Sequence, residues 1–431
     1  MNGNTHSGRA NLERLAGLLD WILVVLLVLA PVVWLCGSLR LMPGPFRIAV
    51  GWNLKNLILP AILVIVRLVV AARLDRDCRA HLPFARLWVR RVVLAWMVGF
   101  GFVLAFEGVL ALARFEFQIQ PILIYGKDGG HPEEALVSDT RLLWRFHPGR
   151  TFRGRPVNNL GFLDRPVAPL KRPGVRRVIC MGDSCTAMGW PTYTGVLHAM
   201  LTNAPPGVVQ WEAINMAVHG YCLVQGQKLF HVQGRALQPD FVFLYYGWND
   251  HWLSQMPVRR QLSLAASSWR IALYDLVRSK RIGQLAAKIG SELSARRKVG
   301  TLGLRVPPDE YRRVAVDFVA DIRAAGAVPV LIAAPRAATV TPLLVKTGQA
   351  RSVAEAIILH DSYLAITRDV ARTTGTPLID LAAKFAGPEA ASFFQRDGMH
   401  LTGEGFARVA AELYSFLAIS STNPVLRITS P

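Results

Sequence analysis

The stretch Val178-Ile179-Cys180-Met181-Gly182-Asp183-Ser184-Cys185-Thr186 decides the fold. An apolar run follows the basic pair Arg176-Arg177 and then breaks into small and polar residues. A buried parallel strand delivers a residue to its carboxyl end in this way. Gly182 permits a sharp turn, and Thr186 is suited to capping a following helix. Ser184 then lies near a helix N-terminus, where outward-pointing backbone N–H groups could hold an oxyanion. Alone, Gly-Asp-Ser is also an ordinary turn that needs no catalytic reason.

Far downstream, Asp397-Gly-Met-His400 precedes a periodic helix that starts near Gly403. Residues three apart meet across one turn. Asp397 is therefore placed to accept from one imidazole nitrogen of His400 while the other faces Ser184. The competing reading is an Asp/Gly turn with His400 as a helix cap. Two further loops follow strand-like runs: Asn215-Met-Ala-Val-His-Gly220 after Val208–Ile214, and Gly247-Trp-Asn-Asp250 after Phe241–Tyr246.

Strand patterns cover Arg177–Met181, Val209–Asn215, Phe241–Tyr246, Val328–Ala333 and Pro377–Leu381. Helical patterns cover about 192–203, 224–236, 309–326, 350–374 and 403–418. The alternation predicts an α/β fold with a central parallel sheet and helices on both faces. Ligands of such sheets bind beyond the carboxyl ends of the strands. Ser184, Gly220 and Asn249 all follow strands at that edge.

These four segments together resemble the SGNH hydrolases, also called GDSL esterases. The matching residues are Ser184 in Gly-Asp-Ser, Gly220 in the second loop, Asn249 in Gly-x-Asn-Asp and His400 in Asp-x-x-His. They occur in the family's order, and the likeness covers about residues 140–420. Cys185 stands where many relatives carry a bulky apolar residue. The resemblance implies a flavodoxin-like three-layer sandwich and a serine esterase. Ser184 would be the nucleophile, His400 the general base and Asp397 its orienting acid. The oxyanion hole would comprise the Ser184 and Gly220 amides and the Asn249 side chain. Transfer of the acyl group to a sugar hydroxyl would share the first half-reaction, so an O-acyltransferase remains open, as does an inert glycan-binding scaffold. Asp183 and Asp250 are expected to organise loops, and His219 and His251 to pack or touch substrate. Gly-x-Ser-x-Gly is absent, which disfavours the larger α/β-hydrolase elbow. An Asn-x-x-Gly-Phe segment at Asn158–Phe162 resembles one in a membrane-linked subset of the family; a turn at Asn159 and Gly161 is the preferred reading of it.

The chain has 431 residues, 52% of them hydrophobic, with a formal charge of +20 from 49 Lys+Arg against 29 Asp+Glu. Its mean hydropathy is +0.30. The arginines are scattered and no zinc, helix-turn-helix or RNA-binding signature is present, so nucleic acid is not the expected partner. An anionic lipid or acidic glycan fits better, and a generally arginine-rich composition is the plain alternative. No cofactor or metal motif is found, and no protein partner is indicated. Of the five cysteines, Cys185 and Cys222 lie in loops that the resemblance makes neighbours, which leaves a disulfide open in an oxidising compartment.

Three apolar runs precede the hydrolase-like part: Leu15–Leu39, Asn56–Ala72 and Val92–Ala113. The first is too long for a signal peptide and has no cleavage site. Arg67 and Glu107 lie inside the second and third. Arg73, Arg76, Arg79, Arg86, Arg90 and Arg91 separate those two runs, which places that loop in the cytoplasm. The expected organisation is a cytoplasmic N-terminus (1–14), a region of about three transmembrane helices (15–113), a juxtamembrane connector (114–170), the catalytic domain (171–420) and a tail (421–431). The catalytic domain would face outward, into the periplasm of a bacterial inner membrane. Its substrate would be an ester-bearing envelope glycan or lipid. Residues 251–308 interrupt the alternation as a lid, a membrane-surface segment or a solvated helical insertion.

Overall fold

The computed structural model describes residues 87–124, 135–203, 210–297 and 303–422, with scattered positions between 11 and 70. Five parallel strands form the central sheet: β7 (Val175–Gly182), β8 (Gln210–Asn215), β9 (Phe241–Tyr245), β10 (Val328–Ile332) and β11 (Leu378–Ile379), in the order β11-β10-β9-β7-β8. The first of these strands is thus flanked by the second and the third. The chain leaves to opposite sides after β7 and β8, and it is at such a switch point that open α/β sheets bind ligands. The expected α/β sandwich is the observed one.

Side chains alternate across the sheet, and this divides the core. Phe241, Phe243 and Tyr245 of β9 pack with Tyr193, Leu197, Phe406, Val409 and Leu413. These come from the helices Tyr193–Thr202 and Gly403–Thr422. Leu244 faces the other way and meets Leu223, Tyr311, Ala315 and Thr367. That face is covered by the helices Leu223–Leu229, Pro308–Ala324 and Val353–Thr374. The apolar positions of each helix fall on one stripe, so burial against the sheet holds them. The helix expected over 224–236 is α-helical only to Leu229; a π turn, Phe230–Gly234, and a 3-10 turn, Arg235–Leu237, complete it.

The connector is no loose linker. It carries two hairpins, β3 (Leu136–Asp139) with β4 (Leu143–Phe146) and β5 (Thr151–Phe152) with β6 (Arg155–Pro156). Asn158 Oδ1 accepts from the amides of Leu160 and Phe162, and Gly161 has φ +85°. The Asn-x-x-Gly-Phe segment is therefore a side-chain-stabilised turn centred on Asn158.

Residue contacts divide the described chain into two units. One comprises Met1–Gln118 with Leu273–Ser291, the other Ile119–Ala272 with Glu292–Pro431. In the first, the helix Leu87–Leu112 includes Leu94–Leu112, the one described segment long and apolar enough to cross a membrane. Glu107 of this helix accepts from the backbone amides of Arg281 and Ile282, at 2.8 and 3.0 Å. Those amides begin the helix Arg281–Arg297, whose positive dipole end favours a carboxylate. Arg67, the residue the sequence offers as a partner for Glu107 beside the simpler reading of a near-interface carboxylate, lies outside the described residues, as do most of the first two apolar runs. The end of the first run, Ser38–Leu39, belongs to β1 (Ser38–Leu41), paired antiparallel with β2 (Ile48–Gly51). Of the 251–308 insertion, Leu273–Ser291 thus groups with the apolar helix.

Candidate active site

β7 ends at Gly182, where a Cβ would lie 2.2 Å from Thr186 Oγ1 and 2.8 Å from the Tyr245 carbonyl oxygen. Close packing, not a left-handed turn, requires glycine here. A single helical turn, Ser184–Ala187, follows. Its cap is Asp183, not Thr186: Asp183 Oδ1 accepts from the Cys185 amide at 2.8 Å. Thr186 Oγ1 instead accepts from the Tyr193 hydroxyl. Ser184 occupies the first position of the turn, where the backbone N–H has no carbonyl within the helix.

The loop between β11 and the helix Gly403–Thr422 holds the distant histidine. Asp397 Oδ1 accepts from the amides of Met399 and His400, both at 2.9 Å. Gly398, at φ +73°, makes the turn, and a Cβ there would come within 2.3 Å of the Thr339 carbonyl oxygen. This leaves Asp397 Oδ2 2.6 Å from His400 Nδ1, while His400 Nε2 lies 2.9 Å from Ser184 Oγ. The carboxylate only accepts, so Nδ1 carries the proton and Nε2 of the neutral ring accepts from Ser184. Burial pushes Asp397 up, but its bonds to the His400 ring and to the His400 and Met399 amides outweigh this. They hold it below the ordinary carboxylate value.

Gly220 and Asn249 converge on the same place. Gly220 has φ +78°, and an added Cβ would meet Trp144 at 3.4 Å. Asn249 is buried, and its Nδ2 donates to Asp183 Oδ2 at 3.1 Å and to the Tyr221 carbonyl at 2.9 Å. Its Oδ1 is buried without a partner. The flipped amide would aim an oxygen at two acceptors, so this orientation is the sound one. Asp250 ties the third loop to the second, accepting from the amides of Leu223 and Gly247. Burial pushes Asp183 up to about 6 and Asp250 to about 7. Both aspartates organise loops, and Asp183 also orients Asn249.

Three contributors carry no signal in the sequence. Trp144 Nε1 donates to the His219 carbonyl, and the Tyr221 hydroxyl donates to the Trp144 carbonyl. Arg305, at the end of the insertion, donates to the Gly220 carbonyl at 2.7 Å and to Gln225 Oε1. His251 is buried and lies 3.3 Å from His360 Nδ1, while His360 donates through Nε2 to the Ala334 carbonyl. Burial pushes His251 well below its ordinary value, so it is a packing residue. His219 stays at the site, its ring centroid 5.6 Å from that of Phe152 and its Nδ1 buried without a partner. Cys185 and Cys222 are free buried thiols, so the disulfide left open does not form. Among the described residues no group of His, Cys, Asp and Glu could hold a metal ion. A cavity of about 300 Å³ is lined by Asp139, Arg145, Phe162 and Tyr221 among others, and by none of Ser184, Asn249, Asp397 or His400.

Residues 180–408 match the model of the GDSL-like Lipase/Acylhydrolase family. The chain belongs to this family. It is accordingly an SGNH-type ester hydrolase. No curated protein matches it. Similar solved structures include a lipase/acylhydrolase from Enterococcus faecalis, 16% identical, with 56% of this chain and 95% of that one covered and a TM-score of 0.37. A GDSL-like lipase from Bacteroides thetaiotaomicron is 15% identical, with 57% and 89% covered and a TM-score of 0.35. A catalytic mutant of an acetylxylan esterase from Geobacillus stearothermophilus is also 15% identical, with 56% and 93% covered and a TM-score of 0.35.

Proposed function

We propose that this SGNH hydrolase is a membrane-anchored serine esterase that removes O-acyl groups, acetyl above all, from an envelope glycan or lipid. The reading is carried by the continuous chain Ser184 Oγ, His400 Nε2, His400 Nδ1, Asp397 Oδ2, with links of 2.9 and 2.6 Å. Ser184 attacks the ester carbonyl as His400 takes its proton. Negative charge then develops on the carbonyl oxygen. The Ser184 and Gly220 amides and Asn249 Nδ2 are the donors for it, and Asn249 would turn one N–H from its resting acceptors toward the oxyanion. Collapse of the tetrahedral intermediate returns the proton through His400 to the leaving alcohol. Water, activated by the same histidine, then releases the acid from the acyl-enzyme. Asp397 fixes the tautomer and stabilises the charged ring. The test is Ser184→Ala with a serine-directed phosphonate. The native protein should be labelled and should hydrolyse a small acetyl ester; the variant should do neither. A variant with native activity would end this reading.

The anchor is proposed from Leu94–Leu112 and the arginines before it, with the hydrolase part outside the cytoplasm. A reporter active only outside the cytoplasm should work when fused after Pro431 and fail when fused near Arg79. The opposite pattern would place the enzyme in the cytoplasm.

A further inference from the structure

The β5–β6 hairpin closes in a two-residue turn. Phe152 pairs with Arg155, leaving Arg153 and Gly154 at the tip with φ +50° and +78°. This is the turn in which asparagine, aspartate or glycine is favoured at both central positions. An arginine there is held against its backbone preference, and such outliers gather at ligand sites. The hairpin also adjoins the loop that carries Gly220, since the Phe152 ring packs on His219 with centroids 5.6 Å apart.

The second strand of the hairpin reaches the loop that leaves the Ser184 helix. The Met188 amide donates to the Ser184 carbonyl, Gly189 packs against Phe406, and Trp190 follows with 62% of its surface exposed. Arg155 donates to the Gly189 carbonyl, and its guanidinium lies 5.7 Å from the Trp190 ring. Arg153 lies 5.5 Å from the Phe152 ring and points a nitrogen at Met188 Sδ. Neither arginine has a carboxylate partner among the described residues.

We propose that Arg153, Arg155 and Trp190 form a subsite beside Ser184 for the sugar portion of a carboxylate-bearing glycan ester. The assignment rests on the esterase reading of Ser184 and names its substrate class. Each group matches one feature of a uronate chain. An exposed indole face stacks on the C–H face of a sugar ring. The guanidinium nitrogens not spent on Met188 and Gly189 can meet carboxylates. A phospholipid headgroup would use the arginines but offers no ring to Trp190.

The full-length protein in detergent, as wild type, Arg153→Asn and Trp190→Ala, decides this. kcat/KM is measured on an O-acetylated oligogalacturonate and on p-nitrophenyl acetate, and affinity for unesterified oligogalacturonate is measured by calorimetry. Arg153→Asn should lower the ratio of the two kcat/KM values about tenfold, through a raised KM for the glycan, and weaken calorimetric binding similarly. Its melting temperature should not fall, because asparagine suits the turn. Trp190→Ala should lower the same ratio. An unchanged ratio with unchanged affinity in both variants overturns the subsite and leaves the esterase standing. Competition by glycerophosphoglycerol but not by oligogalacturonate also overturns it, in favour of a lipid headgroup. If the wild type cleaves neither ester, the esterase reading falls and the affinity measurement still decides the subsite.

Discussion

The guanidinium of Arg305 donates to the carbonyl oxygen of Gly220 at 2.7 Å, with its face 5.4 Å from the Trp144 ring. These residues are distant in sequence, and the bond holds the carbonyl of Gly220, the residue whose amide is the proposed second oxyanion donor, while Trp144, under the same guanidinium, holds the His219 carbonyl of the donor's own peptide. Arg305 touches no reacting atom, so it is a positioning residue. Arg305→Gln should lower kcat about 10-fold or more while KM changes little, since misplacing a donor acts on the transition state. Arg305→Lys should recover part of the loss, because lysine supplies one donor but not the fork that also holds Gln225. A change confined to KM would instead place Arg305 against substrate.

Asn249→Ala should reduce kcat by about 10²–10³ with little effect on KM. The resting bonds of its amide to Asp183 and Tyr221 add a second expectation. Asp183→Asn removes the charge that orients the amide and should also lower kcat, though less than Asn249→Ala does. Equal KM effects from both variants would count against an oxyanion role.

Asp397→Asn keeps the size of the side chain but can donate to Nδ1 and hold the wrong tautomer. A kcat loss as large as about 10⁴ is expected if the acid is essential. A mild loss, beside a dead His400→Ala, would show a Ser–His dyad. Full activity in both would move the base elsewhere, with His219 the first residue to examine.

Stability should fall on acidification below the ordinary histidine value. His198 and His219 are pushed down to about 4 and His360 to about 3, and His251 is also lowered, all by burial. From 6.5 downward the unfolded chain therefore binds protons that the folded chain refuses, and the folded state loses ground. Asp183 and Asp250 oppose this. Their raised values mean the folded chain holds protons that the unfolded chain has released between 3.8 and about 6 or 7. Asp250→Asn should thus steepen the loss of melting temperature between about pH 6.5 and 4.5, and His360→Gln should flatten it. Slopes identical to wild type would show that neither group titrates as described.

The sequence determined the architecture because local patterns and global packing agree. Apolar runs such as Val178–Met181 and Phe241–Tyr245 suit only a sheet covered on both faces, and the helical stripes between them supply the cover. The chain positions of Ser184, Gly220, Asn249 and His400 followed from strand ends and short motifs. Asp397 was legible because its partner is three residues away and the intervening glycine can turn. Tertiary structure alone decided what depends on meetings between distant residues. Thr186 was the apparent helix cap until Asp183 proved closer to the free amide. Nothing local marks Arg305 or Trp144, since an arginine ending an insertion and a tryptophan in a connector acquire their roles only when the loop at Gly220 arrives beside them. The same holds for Glu107, whose partner is the start of a helix about 170 residues away. A hydrogen bond needs atoms within about 3 Å, and sequence spacing constrains that distance only across a single turn.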